Sequence, residues 1–132
     1  MVDRSIIAMG NRYVVRWMRF RNAYPAQDYL ETLGAEAARV RARLRVLATM
    51  MAEAGQLPGT QHGHFLSGPY HQIFEFKPYG HRIFAFVDGT TIYLTSGAPK
   101  RSKKAQDGDY ERAMNLRAEF YSRRQPNQGR KP

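Results

Sequence analysis

Between Tyr70 and Lys104 three apolar runs alternate with turn residues, and this stretch limits the possible fold more than any other part of the chain. The first run is Tyr70-His71-Gln72-Ile73-Phe74-Glu75-Phe76-Lys77, followed by a Pro78-Tyr79-Gly80 break. Then come His81-Arg82-Ile83-Phe84-Ala85-Phe86-Val87, an Asp88-Gly89 pair, and Thr90-Thr91-Ile92-Tyr93-Leu94-Thr95-Ser96-Gly97. Aromatic and β-branched residues favour strands, and Asp-Gly between apolar runs signals a tight hairpin. The segment therefore reads as a three-stranded antiparallel meander, with a hairpin turn at Asp88-Gly89 and a cationic loop, Lys100-Arg101-Ser102-Lys103-Lys104, after it.

Alternation along strands assigns the faces. Phe74 and Phe76 share one side of the first strand, with Ile73, Glu75 and Lys77 on the other. The middle strand is apolar on both sides, as a covered central strand would be. One face of the sheet is expected to be core. The other is expected to be partly polar, carrying Glu75, Lys77 and Tyr93, with the face of Arg82 left open by register.

The rest of the chain adds helices. Residues 1–11 read as a flexible arm and Arg12–Phe20 as a strand. Pro25 starts a short helix over Ala26–Leu33, interrupted at Gly34. Val40, Leu44, Leu47 and Met51 then mark one face of a helix over residues 35–54, with Gly55 as its stop. The arginines at 39, 41, 43 and 45 lie mostly off that stripe and read as a solvated face. Gln56–Pro69 reads as a loop, and Asp107 or Asp109 as the cap of a last helix through Tyr121. Residues 122–132 read as a disordered basic tail. The sum is one α+β domain over residues 12–121, with helices on one face of a mainly antiparallel sheet.

Charge narrows the partners. Lysine and arginine number 21 against 11 acidic residues, a net charge of +10, which favours a polyanion such as nucleic acid or an acidic protein. Cysteine is absent, which excludes disulfides and thiolate metal sites and favours the cytoplasm. His62 and His64 have no evident third ligand nearby, so no metal or other cofactor is expected. No apolar run matches a signal peptide or a membrane span.

The element order and several short motifs together resemble the HigB/RelE-like toxins of bacterial type II toxin–antitoxin systems, in the branch also found in phages. Ile73-Phe74-Glu75-Phe76-Lys77 stands where that family has Leu-Tyr-Glu-Leu-Arg, and Arg82-Ile83-Phe84 where it has Arg-Val-x. Lys100-Arg101-Ser102-Lys103-Lys104 stands for Lys-Lys-Ser-x-Lys, and Glu111-Arg112-Ala113 matches the start of the last helix. The sequence departs from the pattern where His64 replaces Lys, Lys77 replaces Arg and Ala98 replaces Phe. The resemblance implies a RelE-like fold, with an N-terminal strand and helices packed on a mainly antiparallel sheet and a C-terminal helix. It also implies a cytoplasmic, ribosome-dependent endonuclease of messenger RNA, held in check by an antitoxin of helix-turn-helix type. Two alternatives share the fold: a non-catalytic module such as a ParE-like gyrase inhibitor, and a plain RNA-binding phage or ribosome-associated protein.

Such a cleavage has definite needs. A base takes the proton of the ribose 2′-hydroxyl, cations stabilise the phosphorane, and an acid protonates the leaving 5′-oxygen. Lysine and arginine can supply that charge without a metal. The candidates are Arg82, Lys77, His64 and Tyr93 for catalysis, and Lys100, Arg101, Lys103, Lys104 and His71 for RNA binding. His64 or His71 would act as base or acid, and Tyr93 would stack on a base or donate a proton. Apart from the resemblance, Arg82 and Lys77 read as ordinary sheet-surface charges flanking Glu75.

Overall fold

The computed structural model describes residues 3–129, with side chains described through Arg124. Six strands and three α-helices follow in the order β1 (Ile6–Met9), β2 (Val14–Trp17), α1 (Pro25–Glu31), α2 (Ala37–Ala54), β3 (Gly63–Phe65), β4 (Phe74–Phe76), β5 (His81–Asp88), β6 (Thr91–Pro99) and α3 (Lys103–Gly129). The strands form one sheet in the order β1-β2-β6-β5-β4-β3. Every pairing is antiparallel except β2 with β6. The fold is thus α+β with a mainly antiparallel sheet and a C-terminal helix, as expected from the sequence.

Both faces of the sheet are covered, not one. Leu30 of α1 and Val40, Leu44, Leu47 and Met51 of α2 pack on Val15, Trp17, Phe74, Phe76, Ile83, Ala85, Ile92 and Leu94. On the other face Ala113 and Leu116 of α3 pack with Met18, Leu66, Ile73, Phe84, Phe86 and Ala98. The apolar middle strand has a simple explanation in this arrangement, because Phe84 and Phe86 are fully buried beneath α3. Each such ring contributes about 1.5–3 kcal/mol by leaving water. The expected half-polar face is therefore a second core whose polar part is confined to one end.

Several boundaries differ from those expected. Residues 6–9, inside the expected arm, form β1 because a tight return brings them beside β2, with Gly10 N–H donating to the Tyr13 carbonyl at 3.0 Å. Gly10 passes so close to α2 that an added Cβ would lie 2.5 Å from the Ala52 carbonyl carbon. The expected loop contains β3, an edge strand of three residues too short to show alternation. The β5–β6 loop is Gly89-Thr90, one residue later than expected, since Asp88 pairs with Thr91 and only Gly89 takes positive φ, at 63°. Glycine at the first central position with an ordinary second residue suits a type II′ turn. Helix α3 starts at Lys103, before Asp107, because the Ser102 hydroxyl accepts the Ala105 N–H at 3.3 Å in the manner of an N-cap. It continues through residues 122–129, where a disordered tail was expected, while 130–132 lie outside the described residues. Among the described residues no helix is long and apolar enough to cross a membrane.

One irregularity decides which side chains meet. The β5–β6 register jumps between Phe84 and Ala85, leaving Thr95 as an extra residue whose hydroxyl donates to the Phe84 carbonyl at 3.1 Å. The bulge resets the alternation of β6, so Ile92 and Leu94 face α2 whereas Ala98 faces α3. Arg82 pairs with Ala98 and lies on the α3 side, on the same strand face as Phe84 and Phe86.

Candidate active site

The polar end of the α3 face is built around Glu75. In β4 its neighbours Phe74 and Phe76 point into the α2 core, so alternation sends the carboxylate the other way. Cross-strand pairing then places His64 of β3 on one side and Phe84 of β5 on the other. The carboxylate is only 4% exposed. Its Oε1 lies 3.6 Å from His64 Nε2 and its Oε2 lies 3.5 Å from Arg82 Nε.

Arg82 is itself buried and rigidly held. Its Nη1 donates to the carbonyls of His81 at 2.8 Å and Tyr79 at 3.2 Å. Tyr79 reaches that position through a left-handed backbone, φ 59°, in the Pro78-Tyr79-Gly80 turn. A non-glycine residue held there costs about 1–3 kcal/mol, and Arg39 stacks over its ring at 3.6 Å. His81, the residue before Arg82, is tied to the helical side. The Tyr29 hydroxyl donates to His81 Nδ1 at 2.6 Å, and His81 Nε2 donates to Glu36 at 2.9 Å.

Four more cations close the site. His64, Lys77, Arg82, Lys100, Arg101 and Lys103, with Glu75, Gln106 and Tyr110, line a cavity of about 280 Å³. The loop that brings the last three of those cations is held from α3. Gln106, nearly fully buried, accepts the Arg101 N–H at 3.0 Å and donates to the Pro99 carbonyl at 3.1 Å. Asp109 accepts from Arg101 Nε at 2.6 Å and from Gln106 at 2.7 Å. Lys100 N–H donates to the Gly80 carbonyl at 2.9 Å, joining this loop to the turn beside Arg82.

The electrostatics are unequal. Burial raises the Glu75 carboxyl above its usual range, with Arg82, Lys77 and His64 pulling the other way. Burial also lowers the Lys77 ammonium, helped by Arg82 and Lys100 and opposed by Glu75. Arg101 moves up because of its hydrogen bond and ion pair with Asp109, so one cation of the ring is already engaged. His64 Nδ1 lies 2.9 Å from the Phe65 carbonyl, which can only accept, so that nitrogen carries the proton. The Nε2 of a neutral His64 therefore holds the lone pair, and after protonation it faces Glu75.

Six of the nine expected site residues thus come together: His64, Lys77, Arg82, Lys100, Arg101 and Lys103. Tyr93 does not, because it sits farther along the hairpin opposite Phe86, stacked at 5.5 Å on that ring and 4.6 Å from Phe120. His71 is exposed beside a turn, with Nδ1 3.1 Å from the Gly68 carbonyl, and Lys104 is exposed on the first turn of α3. Neither of the two lines the cavity. Glu75, Gln106 and Tyr110 belong to the site but were not among the candidates. Of these only Glu75 left a signal in the sequence, its shared strand face with Lys77. No protein-family model matches the chain, and no curated protein matches it.

Proposed function

We propose that the protein is a metal-independent endoribonuclease of the HigB/RelE-like toxin kind, cutting messenger RNA on the ribosome in the cytoplasm and restrained by an antitoxin. The observation that carries this reading is the cavity in which six potential cations, one of them a histidine, surround one buried carboxylate. A cluster of that kind suits a phosphodiester, and the unequal titrating groups suit acid–base work on it.

The geometry suits the following division of roles. His64 Nε2 takes the proton of the 2′-hydroxyl, whose oxygen attacks the adjacent phosphorus. Glu75, 3.6 Å from that same nitrogen, stabilises the imidazolium that results through its opposite charge. Arg82 and the loop lysines bind the equatorial oxygens of the phosphorane. Lys77, made more acidic by burial and by its cationic neighbours, protonates the departing 5′-oxygen. The products are a 2′,3′-cyclic phosphate and a 5′-hydroxyl, with no water consumed in this step.

The test is incubation of the purified chain with programmed ribosomes and, separately, with free messenger RNA, followed by primer extension and end-group analysis. Cyclic-phosphate ends on ribosome-bound message, unaffected by chelator, are expected. Salt-sensitive RNA binding without cleavage would favour the plain RNA-binding module, and inhibition of gyrase without RNA ends would favour the ParE-like alternative.

A further inference from the structure

Beside the cationic cavity lies a second hollow of about 410 Å³, and the two share His64, Lys103 and Tyr110. The remaining wall has a different character. Leu66 offers an apolar side, Tyr70 and Tyr110 form a corner with ring centroids 5.3 Å apart at 56°, and Asp107 projects at the rim. Tyr110 is braced from behind, edge-on to the buried Phe84 ring at 5.7 Å. Tyr70 is held by its hydroxyl, which donates to Glu111 at 3.2 Å. Carboxylates at Asp107 and Glu111 make this a poor place for another phosphate. An aromatic corner with a carboxylate acceptor suits a flat ring that carries N–H donors.

We propose that this hollow binds the nucleobase of the nucleotide whose phosphate occupies the cationic cavity, and that it selects a base with an exocyclic amino group donating to Asp107. The proposal rests on the ribonuclease reading above, because it takes the neighbouring cavity as the phosphate site. The shared wall makes one nucleotide long enough to fill both. Stacking on Tyr70 and Tyr110 supplies affinity for any base, and Asp107 separates cytosine from uracil, which differ at that position by an amino group against a carbonyl.

The test uses the full chain and three 2′-O-methyl trinucleotides whose blocked 2′-oxygen cannot attack: all-cytosine, all-uracil and abasic. Fluorescence anisotropy should rank them in that order, with cytosine about tenfold tighter than uracil. The abasic form should be weaker than uracil by on the order of tenfold. Tyr70→Leu should bring the cytosine form down toward the abasic one and leave abasic binding unchanged. Tyr70→Phe, which keeps the ring, should preserve the ranking, and Asp107→Asn should narrow the cytosine–uracil gap. Equal affinity for cytosine and abasic forms overturns the base site while leaving the ribonuclease reading standing. A cytosine–uracil gap that survives Asp107→Asn overturns the selection by Asp107. Failure of all three to bind overturns the phosphate site and the base site together.

Discussion

Glu75 and Asp88 lie at opposite ends of the same sheet face, both beneath α3, and their surroundings drive them in opposite directions. Asp88 accepts from Arg124 at 2.6 Å and from Tyr121 at 3.0 Å, and the Arg124 hydrogen bond leads in holding its carboxyl below the usual range. Glu75 has Arg82 and His64 at 3.5 and 3.6 Å, yet burial dominates and its carboxyl is raised. At the Asp88 end the space between the sheet and α3 is filled by Phe86, Tyr93, Phe120 and Tyr121. At the Glu75 end it is left as a cavity ringed by cations. An acid that merely fastens a helix is most stable ionised. One buried at the wall of a cation-rich hollow is raised in spite of its partners, a pattern more typical of functional sites than of fastening ion pairs.

The largest effect that would sharpen this contrast comes from Arg82→Ala. Loss of a charge stabiliser should cost about 2.7–4 kcal/mol of transition-state free energy, a hundredfold to a thousandfold in cleavage rate. The burial of Arg82 adds a cost in stability, since Glu75 would be left without its main partner. Removing one member of a buried pair typically costs about 3–5 kcal/mol. Denaturant melts should therefore show Arg82→Ala clearly destabilised, with part of the loss recovered in the Arg82→Ala, Glu75→Gln double variant. A single variant as stable as the parent would mean the pair is not coupled as the geometry indicates.

Glu75→Gln should separate stability from activity. A carboxyl raised in the folded state contributes stability that is fully present below its unfolded pKa, near 4.5, and lost as pH rises through the folded value. Replacing it by a neutral amide should leave stability at pH 7 equal or higher and flatten its decline above pH 4.5. Cleavage should fall by about a hundredfold, because the imidazolium at His64 loses its stabilising charge. Unchanged cleavage would remove Glu75 from the mechanism whatever its effect on stability.

Lys77→Arg asks whether the lowered ammonium is used as an acid. Arginine keeps the charge but gives up its proton far less readily. The rate should fall by on the order of tenfold to a hundredfold while RNA affinity stays near that of the parent. The alkaline limb of the parent's pH–rate profile should lie below the range of an ordinary lysine and disappear in the variant. An identical profile would leave Lys77 as a binding charge only.

The elements around these two carboxylates were unequally legible in the sequence. Alternation put Phe74 with Phe76 on one face of their strand and Phe84 with Phe86 on one face of theirs, as observed, because side chains two apart on a strand share a side. The same alternation put Tyr93 on the face of Glu75 and Lys77, which is the α3 side, and left the face of Arg82 open. It could not say that Tyr93 pairs with Phe86, far along the hairpin from Arg82. The face of Arg82 depended on the β4–β5 register, which sets Glu75 opposite Phe84, and the bulge that turns Ala98 toward α3 rests on Thr95, a single polar residue among many in strands. Tyr110 and Gln106 were invisible as site residues since the phase at which α3 docks is a tertiary fact. Strands β1 and β3, of four and three residues, are held by backbone pairing at the sheet edges and leave almost no pattern. The cationic loop was readable as charge, but that Asp109 would occupy Arg101 was not.

The smallest effect, and the control for all the others, is expected at the far end. Asp88→Asn removes a carboxylate whose side chain is 28% exposed and whose partner Arg124 is 43% exposed. A surface pair of that kind is weakened by salt and contributes little. Its folded carboxyl lies below the ordinary aspartate value of 3.8, so whatever it contributes is present above that pH and lost as pH falls through the folded value. The variant should therefore melt almost like the parent at pH 7. It should lose less stability than the parent on acidification, the reverse of the trend expected for Glu75→Gln. Tyr121 keeps a hydrogen-bond acceptor in the asparagine oxygen, so the seating of α3 should survive and RNA cleavage should be unaffected. A marked drop in cleavage from Asp88→Asn would show that the two ends of the face are coupled through α3 and that the division between fastening acid and working acid does not hold.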